Sequence, residues 1–303
     1  MSRTAIGHGK SLNKMRRQEA LCGYLFALPW LIGLFVFTLY PILSSLYYSF
    51  TNYSFSANYK WIGLTNYKIM FTSDYLIPTA AYNTLYFALF SVPLNMVIGI
   101  LIAVMMNRKI PGIRMLRTIY YLPNVVSIVA VSMLWCFIFQ GDGILNKILA
   151  AIGIQGPNWL SDPQWSKPAL ILMNCWNAGS TMITNLAGLQ GISRSYYEAA
   201  DVDGASAPRK FFSITLPLLS PSIFYNLIIG IIGALQTFST ALVMTDGGPV
   251  HSTTFYVLTL YRKAFEDMRM GYASAMAWVL LIVTLALTMV VFYLGNKKVH
   301  YEQ

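Results

Sequence analysis

Charged residues are scarce in this chain of 303 residues, where Asp, Glu, Lys and Arg together make up 11%. Soluble globular chains carry roughly 25% charged residues. Hydrophobic residues make up 56%, and a soluble domain has too little interior to remove that much apolar surface from water. The composition therefore excludes a soluble domain, a disordered chain and a coiled coil. It predicts a polytopic membrane protein.

Cysteine and histidine are also scarce, with three residues of each. Cys22, Cys136 and Cys175 all lie in apolar stretches, and none belongs to a Cys-x-x-Cys pair. This distribution indicates buried helix residues rather than disulfides or metal ligands. The histidines are scattered along the chain, so we predict neither a metal site nor a catalytic cluster.

Six charge-free windows exceed the roughly 20 residues that a helix needs to cross the hydrocarbon core. They are residues 20–59, 75–107, 118–141, 168–193, 211–245 and 270–296. Backbone in lipid must satisfy its own hydrogen bonds, so each window is predicted to be helical where it crosses the membrane. The expected fold is therefore all-α with six transmembrane helices. The shorter windows 148–161 and 247–261 contain Gly, Pro and Asn, and are predicted to be re-entrant or interfacial.

Basic residues decide the predicted orientation of these six spans. With both termini inside, fourteen Lys and Arg residues lie on inner segments and seven on outer segments. The net charge of +10 is then explained by topological anchors rather than by nucleic-acid binding. The predicted organisation is a basic inner segment at 1–19, one transmembrane domain at 20–296 and an inner tail at 297–303.

The inner segment between the fourth and fifth predicted spans, residues 194–221, has a specific pattern. Ser193 or Ser195 is suited to cap a short helix. Gly204 can end that helix because a positive φ costs glycine nothing, and Pro208 suits the first turn of a second helix. The pattern predicts a helix, a glycine turn and a helix that form a rigid knob for the groove of another protein. Its acidic side chains are Glu198, Asp201 and Asp203.

This segment resembles the Glu-Ala-Ala loop of binding-protein-dependent ABC importer permeases. The resemblance covers 198–221 without a gap, and the matching letters are Glu-Ala-Ala, Asp-Gly-Ala, a Phe seven residues after Gly204, Ile-x-Leu-Pro-Leu and a final Pro. A second pattern begins with Thr-Asp-Gly-Gly-Pro at 245–249 and ends with Gly-Tyr-Ala-Ser-Ala-Met at 271–276. It resembles the sugar-permease branch, in its MalF-like rather than its MalG-like member. The MalF prototype has two further N-terminal spans and a large external domain, so this chain resembles the shorter six-span members.

The resemblance implies a permease subunit of an ATP-driven importer for an oligosaccharide or glycoside, forming half of the translocation pathway. It also implies several partners: a second, MalG-like permease, two ABC ATPase subunits and an external sugar-binding protein. The expected location is the bacterial or archaeal cytoplasmic membrane. The knob would dock into a cleft on the ATPase, where Glu198 would meet a basic residue. The implied coupling residues are Tyr197, Glu198, Ala199, Ala200, Asp201, Asp203, Gly204 and Ala205.

The sequence contains no G-x-x-x-x-G-K-[ST] phosphate loop. ATP and Mg²⁺ are therefore expected on the partner ATPase, with no cofactor and no enzymatic activity on this chain. The alternative function is an ion-coupled secondary carrier that acts alone. None of the eleven acidic residues lies inside a predicted span, and intramembrane carboxylates are the usual mark of ion coupling, so this alternative is disfavoured.

Polar helical faces in the fourth and fifth spans are candidates for a sugar pathway. At about 100° per residue, amides, hydroxyls and small residues fall on one face of each span. The candidates are Asn174, Asn177, Thr181, Thr184 and Asn185 in the fourth span, and Asn226, Gly233, Gln236, Thr237 and Thr240 in the fifth. Trp176 and Phe238 offer surfaces on which a sugar can stack. Polar and small residues also pack membrane helices together, and the two aromatics suit core packing, so both interpretations stay open. The neutral groups suit a neutral sugar better than an anion.

Overall fold

A computed structural model describes residues 7–56, 58–108 and 110–296. Across these ranges the chain is predominantly helical and contains no strand beyond a single bridge between Thr51 and Trp61. The prediction of an all-α polytopic membrane protein is confirmed. The predicted inner tail at 297–303 lies outside the described residues, as do residues 1–6 of the predicted inner N-terminal segment.

Three helices are long and apolar enough to cross a membrane, and they match the first, second and sixth predicted windows. The first runs over Glu19–Ser49. It comprises most of α1 (Gly7–Gly33), a π-helical turn (Leu34–Leu39) and α2 (Tyr40–Ser49). After α3 (Thr65–Thr72), the second is α4 (Leu76–Met106), and the last is α16 (Met270–Asn296). These runs are helical because lipid offers the backbone no other hydrogen-bond partner.

The other three windows are interrupted helices rather than the continuous helices on which the polar faces were projected. The third window holds α5 (Ile113–Tyr121), a 3₁₀ turn (Leu122–Asn124) and α6 (Ile128–Ile138), with a bend of 96°. The fourth is divided into α8 (Ser166–Trp176) and α9 (Gly179–Gly191). The described residues thus contain three to five candidate spans. The count of six crossings and the inward termini stay predictions.

The fifth window is the most divided. It begins in α11 (Ala207–Lys210), a π-helical turn (Phe211–Thr215) and α12 (Leu216–Leu218). A bend of 66° separates these from α13 (Ser220–Leu235). The window ends with α14 (Ser239–Met244). Its proline-rich start explains the bend, because Pro217 and Pro221 each remove a backbone donor.

Short helices complete the chain at both ends of the bundle. They are α7 (Ile144–Ala151), α10 (Arg194–Val202) and α15 (Tyr256–Tyr261), which continues into a π-helical turn (Arg262–Glu266). The connection that precedes α15 is tied to α4, because the Asn83 amide donates to the backbone oxygens of His251 at 2.8 Å and Thr254 at 3.1 Å.

Helix α4 lies at the centre of the bundle and contacts α8, α9, α13 and α15. Its contact with α9 is close because Gly99 has no side chain. A Cβ at Gly99 would lie 2.6 Å from Cγ2 of Thr181, well inside van der Waals contact. Small residues at such crossings let membrane helices approach closely, so Gly99 sets the distance between α4 and α9.

The three cysteines lie in helices α1, α6 and α8, as predicted. Cys175 is buried and Cys136 is half-buried, but Cys22 is exposed. The prediction that all three are buried is therefore wrong for Cys22. The first long helix has most of its surface exposed, since an apolar side chain in a membrane protein can face lipid instead of the protein interior.

Candidate functional site

A polar cavity of about 400 Å³ lies among α4, α8, α9 and α13. Seven of the residues predicted for the pathway line it: Asn174, Asn177, Thr181, Thr184, Asn226, Gly233 and Thr237. Its lining consists of amide, hydroxyl, glycine and apolar groups and contains no charged side chain. Such a surface can hydrogen-bond an uncharged polar solute without burying an unpaired ion.

The interruptions in three of the helical windows meet at this polar cavity. Asn124 ends the turn after α5, Asn177 follows the end of α8, and Thr237 lies between α13 and α14. All three residues line the cavity. Irregular backbone at membrane depth is tolerated where it is buried in protein or lines a cavity. The interruptions therefore expose polar groups in the middle of the bundle.

Asn95 of α4 is a cavity residue that sequence reasoning missed. Its Nδ2 donates to the Asn174 backbone oxygen at 3.0 Å, and its Oδ1 accepts the Thr181 hydroxyl at 2.9 Å. Asn95 thus connects α4 to both halves of the interrupted fourth window. The available signal was an amide inside the apolar window 75–107, because a buried amide needs hydrogen-bond partners.

Asn226 of α13 has an unused donor at the cavity. Its Nδ2 is buried and has no hydrogen-bond partner within the described parts of the chain. An unpaired buried donor costs about 1–3 kcal/mol, and the residue that carries it lines the cavity. The adjacent Tyr225, which sequence reasoning also missed, lines the same cavity and is 56% exposed. It supplies an aromatic face where Trp176 and Phe238 do not.

Five of the predicted pathway residues lie away from the polar cavity. Trp176 packs edge-on against Trp135, with ring centroids 5.4 Å apart. Gln236 and Phe238 line a separate, more apolar depression that α14, α15 and α16 border. Thr240 is half-buried on α14 and does not line the polar cavity.

Helix interruption explains this separation. The advance of about 100° per residue holds only within one continuous helix. Helix α8 ends at Trp176 and α13 ends at Leu235, so the projected faces are not continuous beyond those residues. Asn185 also does not line the cavity, since it is fully buried on α9 and donates to the Thr181 backbone oxygen at 2.9 Å.

The segment with the Glu-Ala-Ala pattern forms a compact elbow, defined here as residues 193–215. Ser193 caps α10 by accepting a hydrogen bond from the Ser195 backbone N–H at 3.4 Å. The turn after α10 contains Gly204 at φ +70°, a conformation that costs a residue with a Cβ roughly 1–2 kcal/mol. Helix α11 then begins at Ala207, with Pro208 in its first turn. The local structure follows the predicted order of cap, helix, glycine turn and proline-initiated helix.

Two side-chain contacts hold the two arms of the elbow together. The Tyr197 and Thr215 hydroxyls lie 2.9 Å apart, and Lys210 forms an ion pair with Asp201 at 2.5 Å. The outer surface of the elbow is exposed at Glu198, Ala199, Asp201, Asp203 and Gly204, whereas Tyr197, Ala200 and Ala205 are half-buried. The elbow therefore exposes carboxylates on a cross-braced base, while Arg194, Arg209 and Lys210 bring its net charge to zero.

Helix α9 connects the elbow to the cavity. It carries Thr181 and Thr184 at the cavity, and only Ile192 and Ser193 separate its end from α10. Its last turns pack with Leu219 and Tyr197 in one hydrophobic cluster. Helix α9 therefore forms a direct structural connection between the elbow and the cavity wall.

Comparison with known proteins places this architecture in a family. Residues 95–298, which include the cavity and the elbow, match the family model for the binding-protein-dependent transport system inner membrane component. The chain belongs to this family. The resemblance drawn from the elbow is therefore confirmed, and the chain is a multi-pass inner membrane component.

Relatives of this transport component match it over almost their whole length. A probable ABC transporter permease protein, YesP of Bacillus subtilis, is 42% identical over 94% of each chain. The lactose transport system permease protein LacF of Rhizobium radiobacter is 34% identical over 95% of this chain and 98% of the relative. A bacterial alginate ABC transporter, crystallised in complex with an alginate pentasaccharide-bound periplasmic protein, matches with a TM-score of 0.81 and 26% identity. That match covers 94% of this chain and 96% of the solved chain.

Proposed function

We propose that this chain is one of two permease subunits in an ATP-driven, binding-protein-dependent importer of a sugar or glycoside. The observation that carries the proposal is the path along α9, from a neutral polar cavity to an exposed elbow. One short helix lines the cavity through Thr181 and Thr184 and leads into α10. This arrangement supports a subunit that is moved by a separate motor.

The proposed substrate is an uncharged sugar or glycoside. Every polar group on the cavity wall is an amide, a hydroxyl or backbone, and sugar hydroxyls can both donate to and accept from such groups. The Asn226 side chain and the ring of Tyr225 supply an amide and an aromatic face at the cavity. The relative LacF, named for lactose transport, supports this class of substrate.

The proposed partners supply what this chain does not carry. A second, MalG-like permease completes the pathway, and an external binding protein delivers the sugar. Two ABC ATPase subunits hold ATP and Mg²⁺, because the sequence contains no phosphate loop. The proposed location is the cytoplasmic membrane of a bacterium or archaeon, with the elbow and both termini on the cytoplasmic side.

The proposed mechanism uses the elbow as a lever. Glu198 pairs with a basic residue in the ATPase cleft, a charge-assisted contact. Gly204 keeps the turn tight, and the Tyr197–Thr215 and Lys210–Asp201 contacts prevent the two arms from moving apart. Closure of the ATPases then displaces α9 and opens the cavity toward the outside to receive sugar.

The test compares two elbow substitutions with matched changes elsewhere in the assembled transporter. Glu198→Lys reverses a charge on the elbow, and Asp142→Lys makes the same change at another exposed acid. Gly204→Asp strains the turn at φ +70°, and Gly153→Asp makes the same change at an open glycine with φ +79°.

We expect both elbow variants to lose sugar uptake and sugar-stimulated ATPase activity by at least about tenfold, the effect of losing one charge-assisted contact. The two control variants should keep both activities. If the elbow variants transport normally at equal expression, the coupling role is wrong. Uptake by the single reconstituted chain, driven by a proton or sodium gradient, would instead support the ion-coupled carrier.

A further inference from the structure

A second polar hollow, which we name the basic cleft, lies beside the base of the elbow. It has a volume of about 590 Å³ and lies where the ends of α4 and α9 meet the starts of α5 and α10. Its polar lining includes three arginines, Arg108, Arg117 and Arg194, together with Asn107 and Gln190. No acidic side chain lines it. The basic cleft therefore concentrates positive charge in a recess, where a bound anion is partly shielded from water.

These three arginines have no carboxylate partner in the structure. Within the described ranges, no Asp or Glu oxygen lies within 4 Å of their guanidinium groups. Glu198 lies one turn after Arg194 on α10 but does not pair with it. Other basic residues of the chain are paired: Lys210 with Asp201, and Arg262 with Asp246. The positive charge of the basic cleft is thus left for a ligand.

Arg117 is held in place by a backbone contact. Its Nη2 and Nε donate to the Met106 backbone oxygen at 2.7 and 3.3 Å. This uses two of the five N–H donors of the guanidinium and fixes its plane at the end of α4. A guanidinium fixed in this way loses little further entropy on binding a phosphate, which it can contact through two parallel hydrogen bonds.

Apolar side chains surround the arginines and point to a lipid rather than a free anion. The cleft wall includes Ile113, which is half-buried, and Leu189 and Ile192, which are buried, so the exposed apolar surface lies beside this wall. Next to it along the chain, Ile110 is 47% exposed and Met115 is 70% exposed. A free phosphate gains nothing from this apolar surface, whereas the acyl chains of a phospholipid bury it.

We propose that the basic cleft binds the phosphate of an anionic phospholipid headgroup, with the acyl chains against the neighbouring apolar surface. Basic pockets between transmembrane helices on the cytoplasmic side are suited to such headgroups. The assignment to the inner leaflet rests on the proposed function, which puts the elbow on the cytoplasmic side. A lipid held here braces α4, α9 and α10 at the point where the elbow joins the bundle.

The experiment measures lipid retention by the purified, assembled transporter in detergent. Phosphatidylglycerol is titrated against phosphatidylcholine, and the bound lipid is counted by native mass spectrometry. The test variants are Arg108→Gln and Arg194→Gln, because both side chains are exposed and neither has a hydrogen bond to lose. The matched control is Arg114→Gln, which removes an exposed arginine of α5 that does not line the basic cleft.

We expect each cleft variant to weaken phosphatidylglycerol binding about fivefold, the effect of one basic residue near an anionic membrane surface. The double variant should weaken it by more than tenfold. Phosphatidylcholine binding and the control variant should not change. An equal loss in Arg114→Gln would overturn the proposal, because it would indicate attraction to the whole basic surface rather than to the cleft.

Two further arms separate the other possible occupants. Inorganic phosphate that displaces the lipid at equal concentration would identify a free-anion site and overturn the lipid assignment. Loss of the ATPase subunits from the cleft variants, with lipid retention unchanged, would identify a protein contact instead. Lipid counting does not depend on transport. If the Glu198→Lys test contradicts the importer proposal, the lipid-binding result can therefore still be interpreted. In that case a positive result would support the lipid site but not its assignment to the inner leaflet.

Discussion

The polar cavity and the basic cleft are two hollows on the same pair of helices, and they differ in charge. Asn95 of α4 lies at the cavity, and Arg108 lies at the cleft, two residues after the end of α4. The two are 13 residues apart, which corresponds to about 20 Å at the rise of a helix. The cavity is lined by neutral groups, whereas the cleft holds three arginines without acidic partners. A charge near the bilayer centre is costly, but a charge near the membrane surface is not.

This difference corresponds to two kinds of binding. A solute that must leave again is better held by neutral hydrogen bonds, each worth about 0.5–1.5 kcal/mol. A headgroup that stays in place gains from charge-assisted contacts, which are roughly twice as strong. The cavity is therefore suited to a solute that passes through, and the cleft is suited to a lipid headgroup that stays bound.

The largest effect is expected from a charge placed in the polar cavity. Asn226→Lys places an ammonium group where Nδ2 now lies buried and unpaired. A charge at the centre of a membrane helix costs several kcal/mol, so we expect uptake of an uncharged sugar to fall at least about 100-fold. Binding of phosphatidylglycerol at the basic cleft should stay within twofold. Uptake measured in vesicles and lipid counts on the same preparation check both parts.

Asn226→Gln is the control for that change, because it keeps a neutral amide. It should retain much more uptake than Asn226→Lys, with an effect mainly on KM. If the two variants transport equally well, charge neutrality of the cavity is not what selects the substrate.

A change at Gly99 tests whether close packing of α4 on α9 forms the cavity. Gly99→Ala puts a methyl group 2.6 Å from Cγ2 of Thr181. Overpacking of this kind typically costs about 1–3 kcal/mol, so we expect a lower midpoint of thermal unfolding in detergent and weaker sugar uptake. The basic cleft, one or more turns away, should keep its lipid affinity.

Thr181→Ser supplies the matched rescue, since it removes Cγ2 but keeps the hydroxyl that bonds Asn95. The double variant should recover part of the unfolding midpoint that Gly99→Ala loses. As a control, Gly191→Ala on the same helix α9 meets nothing within 4 Å and should change the midpoint little. Equal losses in Gly99→Ala and Gly191→Ala would mean that helix packing at Gly99 is not the cause.

The smallest effect is expected from a change in salt concentration. Raising the ionic strength from about 0.1 to 1 M shortens the Debye length from about 10 to 3 Å. We expect phosphatidylglycerol retention at the basic cleft to fall several-fold, while the KM for an uncharged sugar changes by less than twofold. A parallel loss in both measurements would show that the two hollows do not differ electrostatically.

Helix continuity decides how much of the site could be predicted from the sequence. Asn174, Asn177 and Thr181 were found from periodicity and do line the cavity, because α8 and α9 both border it. Gln236 was projected to the same region and Phe238 was proposed as a stacking surface, but both lie elsewhere, because α13 ends at Leu235.

The membrane class, the elbow and its family followed from the sequence alone. The composition indicates a protein surrounded by lipid, because a soluble domain cannot bury this much apolar surface. Cap, glycine and proline signals act over a few neighbouring residues, so Ser193, Gly204 and Pro208 could be interpreted without a fold.

Tertiary structure alone decided where the helices break and what meets at the breaks. The contact of Asn95 with Asn174 and Thr181, the unpaired donor of Asn226 and the convergence of three arginines on one cleft all join residues that are distant in the chain. A break in a membrane helix is stable only if other segments satisfy its freed polar groups. Its position therefore depends on neighbouring helices, which the local sequence does not specify.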